Sequence, residues 1–124
     1  MIDPPAKFRS CTVAVEDSAD ALQILCELLR LLGHEATGAQ DAAGALGLLS
    51  TQGFDILLTD VNLPGQSGIQ LARRAKADAP QMKIIFASGH GESMASHVGF
   101  PSVWLSKPYD YAALVAALSR SDSA

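Results

Sequence analysis

A doubly wound α/β fold, one five-stranded parallel sheet with helices on both faces, is predicted by three features of the sequence. Short apolar runs of strand length alternate five times with segments of helical periodicity. The run Phe54 to Leu58 is largely apolar on both faces and is bounded by turn residues, which suits a buried strand of a parallel sheet and is too short for a helix. Four of the five runs end in side chains able to do chemistry: Glu16-Asp17, Asp60, Ser88 and Lys107. Open α/β sheets bind ligands just outside the carboxyl ends of their strands, so these residues should share one edge.

The elements follow in order. Residues 1–9, with Pro4-Pro5, form a loose leader. Cys11 to Val15 is rich in β-branched residues and forms the first strand. Ser18 caps a helix from Ala19 to Leu32, which Gly33 ends. Along it Asp20, Gln23, Glu27 and Arg30 define a polar face. Leu22, Leu25, Leu29 and Leu32 make one apolar stripe, and Ile24, Leu28 and Leu31 a second, more apolar girth than a surface helix needs. The second stripe is a candidate docking surface. His34 to Ala39 is a short second strand, and Asp41 to Ser50 a helix weakened by Gly44 and Gly47. After the third strand, Ser67 caps a helix to about Ala79, stopped by Pro80. Met82 to Ala87 and Ser102 to Leu105 are the fourth and fifth strands. A last helix, capped by Asp110, runs from Tyr111 to about Ser119.

With 124 residues and 48% hydrophobic side chains, the chain has the length and apolar content of one domain, expected over residues 10–120 with a polar tail at 121–124. Nine Lys and Arg against 13 Asp and Glu give a net charge of -4, and the basic residues are scattered. That leaves no nucleic-acid footprint and favours a protein or small-molecule partner. Cys11 and Cys26 lie in apolar stretches without metal-ligand spacing and are expected to pack in the core of a protein in a reducing compartment. The N-terminus lacks an apolar signal core, and Glu27, Arg30 and Gly33 interrupt the longest apolar segments. Neither export nor membrane spanning is expected, so the protein should be cytoplasmic.

Glu16, Asp17 and Asp60 brought to one edge would repel one another unless a cation were present, and hard oxygen ligands with room for water suit Mg²⁺. Lys107 and the Ser88 hydroxyl are placed to neutralise and hydrogen-bond transferred oxygens. Together they form an aspartyl-phosphate site, in which a carboxylate nucleophile forms a covalent intermediate and the protein supplies position and charge neutralisation.

The segments VEDS at 15–18, LLTDVNLPGQSG at 57–68, FASGHG at 86–91 and LSKPYD at 105–110 resemble the receiver (response-regulator) domain of two-component signalling. The resemblance spans nearly the whole chain, with four motifs in the right order at the right strand ends. It implies the flavodoxin-like (βα)5 fold. It also implies that Asp60 accepts a phosphoryl group from a phosphohistidine of a histidine kinase or histidine phosphotransfer protein. Asp17 would be the principal Mg²⁺ ligand, Glu16 would act largely through water, and Asn62 would ligate by its backbone carbonyl. Ser88 matches the switch serine or threonine, Lys107 the phosphate-binding lysine, and Trp104 the aromatic switch position, though an aromatic residue in a strand also serves as core filling. The Lys107-Pro108 bond matches one that is usually cis in the family. The product would be a single-domain, Mg²⁺-dependent regulatory phospho-acceptor, not an enzyme, that assists its own phosphorylation and dephosphorylation and switches binding of a downstream protein partner. In the resemblance, the first helix and the loop after the fifth strand meet the kinase's helical bundle.

One departure stands out. Ser88 and Lys107 are 19 positions apart, about one helical turn fewer than receivers usually have. The segment GHGESMASHVGFP has few good helix formers, so the fourth helix should be short or irregular and its usual output contacts altered. His90 is expected to line the site entrance. Two other classes compete. A haloacid-dehalogenase-like phosphatase also uses an Asp nucleophile with Mg²⁺, but wants a second Asp two positions on, where this chain has Asn62. A flavodoxin-like binding module would bind phosphate after the first strand, where Glu16-Asp17 would repel it.

Overall fold

The computed structural model describes residues 10–89 and 98–123. The expected leader lies outside these residues, as do His90 and most of the segment expected to carry the short fourth helix.

Five strands, β1 (Cys11–Val15), β2 (Glu35–Ala39), β3 (Ile56–Asp60), β4 (Lys83–Ser88) and β5 (Val103–Ser106), form one parallel sheet in the order β2-β1-β3-β4-β5. The described helices are α1 (Ala19–Leu31), α2 (Ala42–Thr51), α3 (Gly68–Asp78) and α4 (Tyr111–Ser123). The alternation of side chains along each strand feeds two cores. Val13, Val15, Leu57, Ile84 and Phe86 face α2 and α3 with Ala45, Leu71 and Ala72. Ala14, Ile56, Leu58 and Ile85 face α1 and α4 with Leu25, Leu29, Leu114 and Leu118. β3 is buried at all five positions, as an apolar run covered on both faces requires.

The expected caps are present. Ser18 Oγ accepts from the Ala21 N–H, Asp110 Oδ1 accepts from the Ala113 N–H, and Ser67 and Gln70 form a reciprocal capping box. Asp41 is itself a cap and not the first helical residue: its Oδ1 accepts from the Gly44 N–H at 2.7 Å. Several boundaries differ from expectation. α1 ends at Leu31, one residue early, and β2 starts at Glu35, not His34. β4 and β5 each start and end one residue later than expected, because the ladder continues through the Ser88↔Ser106 pair, beyond which the Lys107 N–H donates to the Ser88 carbonyl. α4 continues past Ser119 into the expected polar tail. Ser121 is buried there, its hydroxyl bonded to the Leu118 carbonyl within the helix.

No helix among the described residues is long and apolar enough to cross a membrane.

Candidate phosphoryl-acceptor site

The connection from β1 to β2 runs to one side of β1 and the connection from β2 to β3 returns to the other, so the carboxyl ends of β1 and β3 flank the crevice where strand order reverses. Asp60 closes β3 at that crevice and is 6% exposed. Glu16 and Asp17 follow β1 directly, and carboxylate oxygens of all three acids lie within 4.8 Å of one another.

Lys107 reaches this cluster from beyond β5. Its Nζ lies 2.8 Å from Asp60 Oδ1 and 3.4 Å from Glu16 Oε1. The Lys107-Pro108 bond is cis. Burial works against the lysine's charge, but the Asp60 and Glu16 carboxylates outweigh it and leave its pKa raised. The pKa of Glu16 is raised as well, first by burial and then by the neighbouring Asp60 carboxylate, with Lys107 pulling the other way. Its Oε2 is buried with no hydrogen-bond partner among the described residues. An orphaned carboxylate oxygen beside two further carboxylates leaves negative charge that one lysine does not satisfy. The donor set therefore fits a hard divalent cation such as Mg²⁺.

Backbone packing holds Asp60 in place. The Thr59 hydroxyl donates to the Asp60 carbonyl at 2.9 Å, and the Gly68 N–H donates to the Val61 carbonyl at 2.7 Å. A side chain at Gly68 would collide with the Asp60 carbonyl, so α3 begins against the end of β3 with no space for a Cβ.

Ser88 ends β4 and is 5% exposed, with its neighbour Ala87 paired to Asp60 in the sheet register. Asn62 is exposed in the loop after β3. Trp104 points into the core, 6% exposed, its ring 4.8 Å from that of Phe86 and its indole N–H donating to Ser102 Oγ. The core-filling arrangement is the one present. Three neighbours escaped the sequence reading. Gln40 carries no chemical signature, and Gly68 and Tyr109 were seen only as parts of motifs, without a role of their own. Burial first, and then Asp60, raise the pKa of the Tyr109 phenol, which lines a groove with Glu16 and Lys107.

The model of the response regulator receiver domain matches residues 12–119. The chain belongs to this family. The receiver is 38% identical over 74 residues to the response regulator receiver protein CpdR of Brucella abortus, covering 60% of this chain and 62% of that protein. It is 43% identical over 65 residues to the chemotaxis protein CheY of Pseudomonas aeruginosa, covering 52% of each. The matched stretch is thus less than two thirds of either relative. Among solved structures, a response regulator receiver protein from Sinorhizobium medicae superposes with a TM-score of 0.85 at 29% identity, covering 94% of this chain and 96% of that one. A CheY-like receiver domain from Methylobacillus flagellatus gives 0.77 at 31% identity, covering 90% and 98%. Receivers are regulatory domains of two-component response regulators.

Proposed function

We propose that this receiver takes a phosphoryl group onto Asp60 from a phosphohistidine of a histidine kinase or histidine phosphotransfer protein, in a Mg²⁺-dependent step, and that the phosphorylated form switches binding of a downstream protein partner. The observation that carries the reading is the 2.8 Å approach of Lys107 Nζ to Asp60 Oδ1 beside two further carboxylates. An Asp60 carboxylate oxygen attacks phosphorus, the P–N bond to the donor imidazole breaks, and the imidazole keeps the electron pair and takes up a proton. Lys107 follows the charge from carboxylate to phosphoryl oxygens, and the Ser88 hydroxyl hydrogen-bonds one of them. Glu16, Asp17, Asp60 and the Asn62 carbonyl would hold Mg²⁺, which supplies charge neutralisation on the transferring oxygens. The Trp104 ring fills the core against Phe86, two residues before Ser88 on β4, and is the proposed relay of the switch.

The donor's docking surface is proposed on α1. Ile24 is 58% and Leu31 80% exposed, so neighbouring helices leave these two uncovered. Ile24 and Leu28 line an open groove with Glu16, Lys107, Pro108 and Tyr109, which joins the apolar stripe to the acceptor. A helical bundle laid there brings its phosphohistidine to Asp60.

Incubation with acetyl phosphate and Mg²⁺ should add one phosphoryl group by mass, and Asp60→Asn should add none. Undiminished labelling of that variant overturns the assignment.

A further inference from the structure

We infer that Gln40 is a positioning residue for the Mg²⁺ ligand Asp17, an inference that rests on the receiver reading above. Gln40 follows the last residue of β2, and β2 lies beside β1, with Val15 paired to Ala39 at the end of the ladder. Two bonds then tie the acidic loop to the β2–α2 turn. The Glu16 N–H donates to the Ala39 carbonyl at 3.1 Å, and Gln40 Nε2 donates to the Asp17 carbonyl at 3.3 Å.

The two bonds do different work. The first extends the sheet ladder, and any residue at position 40 leaves it intact. The second depends on the Gln40 side chain and acts on the peptide between Asp17 and Ser18, where the chain turns into α1. Ser18 is anchored on the far side as the α1 cap. With Glu16 held by the sheet and Ser18 by the helix, the Asp17 peptide is the remaining hinge of the loop. Its orientation decides whether the exposed Asp17 side chain meets the Glu16 and Asp60 oxygens. Gln40 bonds the Asp17 backbone carbonyl and not its carboxylate, so its influence on the metal would pass through Asp17. Outer contacts of this kind tune metal affinity by orienting the ligands.

The test is Mg²⁺ affinity by calorimetry at pH 8, together with the metal-free melting temperature. Gln40→Met keeps the length and removes the donor; it should raise the Kd by about two- to twelvefold, the range expected for one neutral hydrogen bond. Its metal-free melting temperature should match that of the wild type. Gln40→His presents a neutral ring N–H at the same number of bonds from the backbone and should restore an affinity near that of the wild type. An unchanged Kd in Gln40→Met, or failure of the His variant to recover, overturns the inference, as does a Kd change that only tracks a lower melting temperature. Acetyl phosphate labelling of the wild type separates the two readings. If the wild type binds Mg²⁺ and is labelled while Gln40→Met matches it, only the role of Gln40 falls; if the wild type neither binds nor is labelled, the receiver reading falls with it.

Discussion

Glu16 costs the metal-free fold stability once its carboxyl is charged. Its carboxyl is disfavoured in the charged form by burial and by Asp60, so its folded pKa lies above the unfolded one. The fold therefore binds the proton more tightly than the unfolded chain does. The stabilisation this gives is present at low pH and is lost as pH rises from the ordinary carboxylate range through the raised value. Above that window the charged Glu16 is a standing cost to the metal-free protein. Glu16→Gln should accordingly raise the melting temperature in chelator at pH 7 by a few degrees, while weakening Mg²⁺ binding. A lower melting temperature with unchanged Mg²⁺ affinity would contradict both halves of the claim. Gly68 acts in the opposite sense, since its lack of a Cβ lets α3 start against the Asp60 carbonyl. Gly68→Ala should cost about 1 to 3 kcal/mol, the range for forced overpacking, and slow acetyl phosphate labelling. Urea unfolding and labelling rates measured on one preparation would check it.

Within α1 the two apolar stripes have different fates. Leu25 and Leu29 are buried against the sheet, whereas Ile24 and Leu31 face outward and Leu28 sits between. Leu29→Ala should cost roughly 2 to 5 kcal/mol as a core truncation. Ile24→Ser should fall within about 0.5 kcal/mol of the wild type, as surface substitutions do. If the outward stripe docks the donor, Ile24→Ser slows phosphoryl transfer from a histidine donor and leaves acetyl phosphate labelling alone. Equal slowing of both reactions would place the effect at the acceptor and not at α1. Helix starts were legible in the sequence because Ser18, Ser67 and Asp110 cap by local contacts with residues three positions on. Strand ends were less so. Ser88 and Ser106 extend β4 and β5 by pairing with each other, and Ser121 is buried on a helix continuing past Ser119, all outcomes of partners distant in sequence or packed late.

At the scale of the molecule, alternation announced a parallel sheet, and the residues ending its runs announced which side chains would meet at one edge. Distances were another matter: Lys107 and Asp60 meet only because β5 and β3 flank β4, and Gln40 reaches Asp17 only because β2 flanks β1. If the proposed Mg²⁺ is held between the ends of β1 and β3, the site is also a stability element, because the ion binds the folded chain and not the unfolded one. At ten times its dissociation constant Mg²⁺ should add about 1.4 kcal/mol, which for a domain of this size raises the melting temperature by roughly 3 to 8 °C. The same ionic strength supplied as KCl should not, since screening alone acts on all surface charges and closes no site. Asp17→Ala should lose most of the Mg²⁺ shift while keeping its metal-free melting temperature, because Asp17 is exposed and contributes no core packing. Scanning calorimetry across a Mg²⁺ series decides the matter. An equal shift in wild type and Asp17→Ala would mean that the ion binds elsewhere, and the three carboxylates would then be a repulsive edge that Lys107 alone relieves.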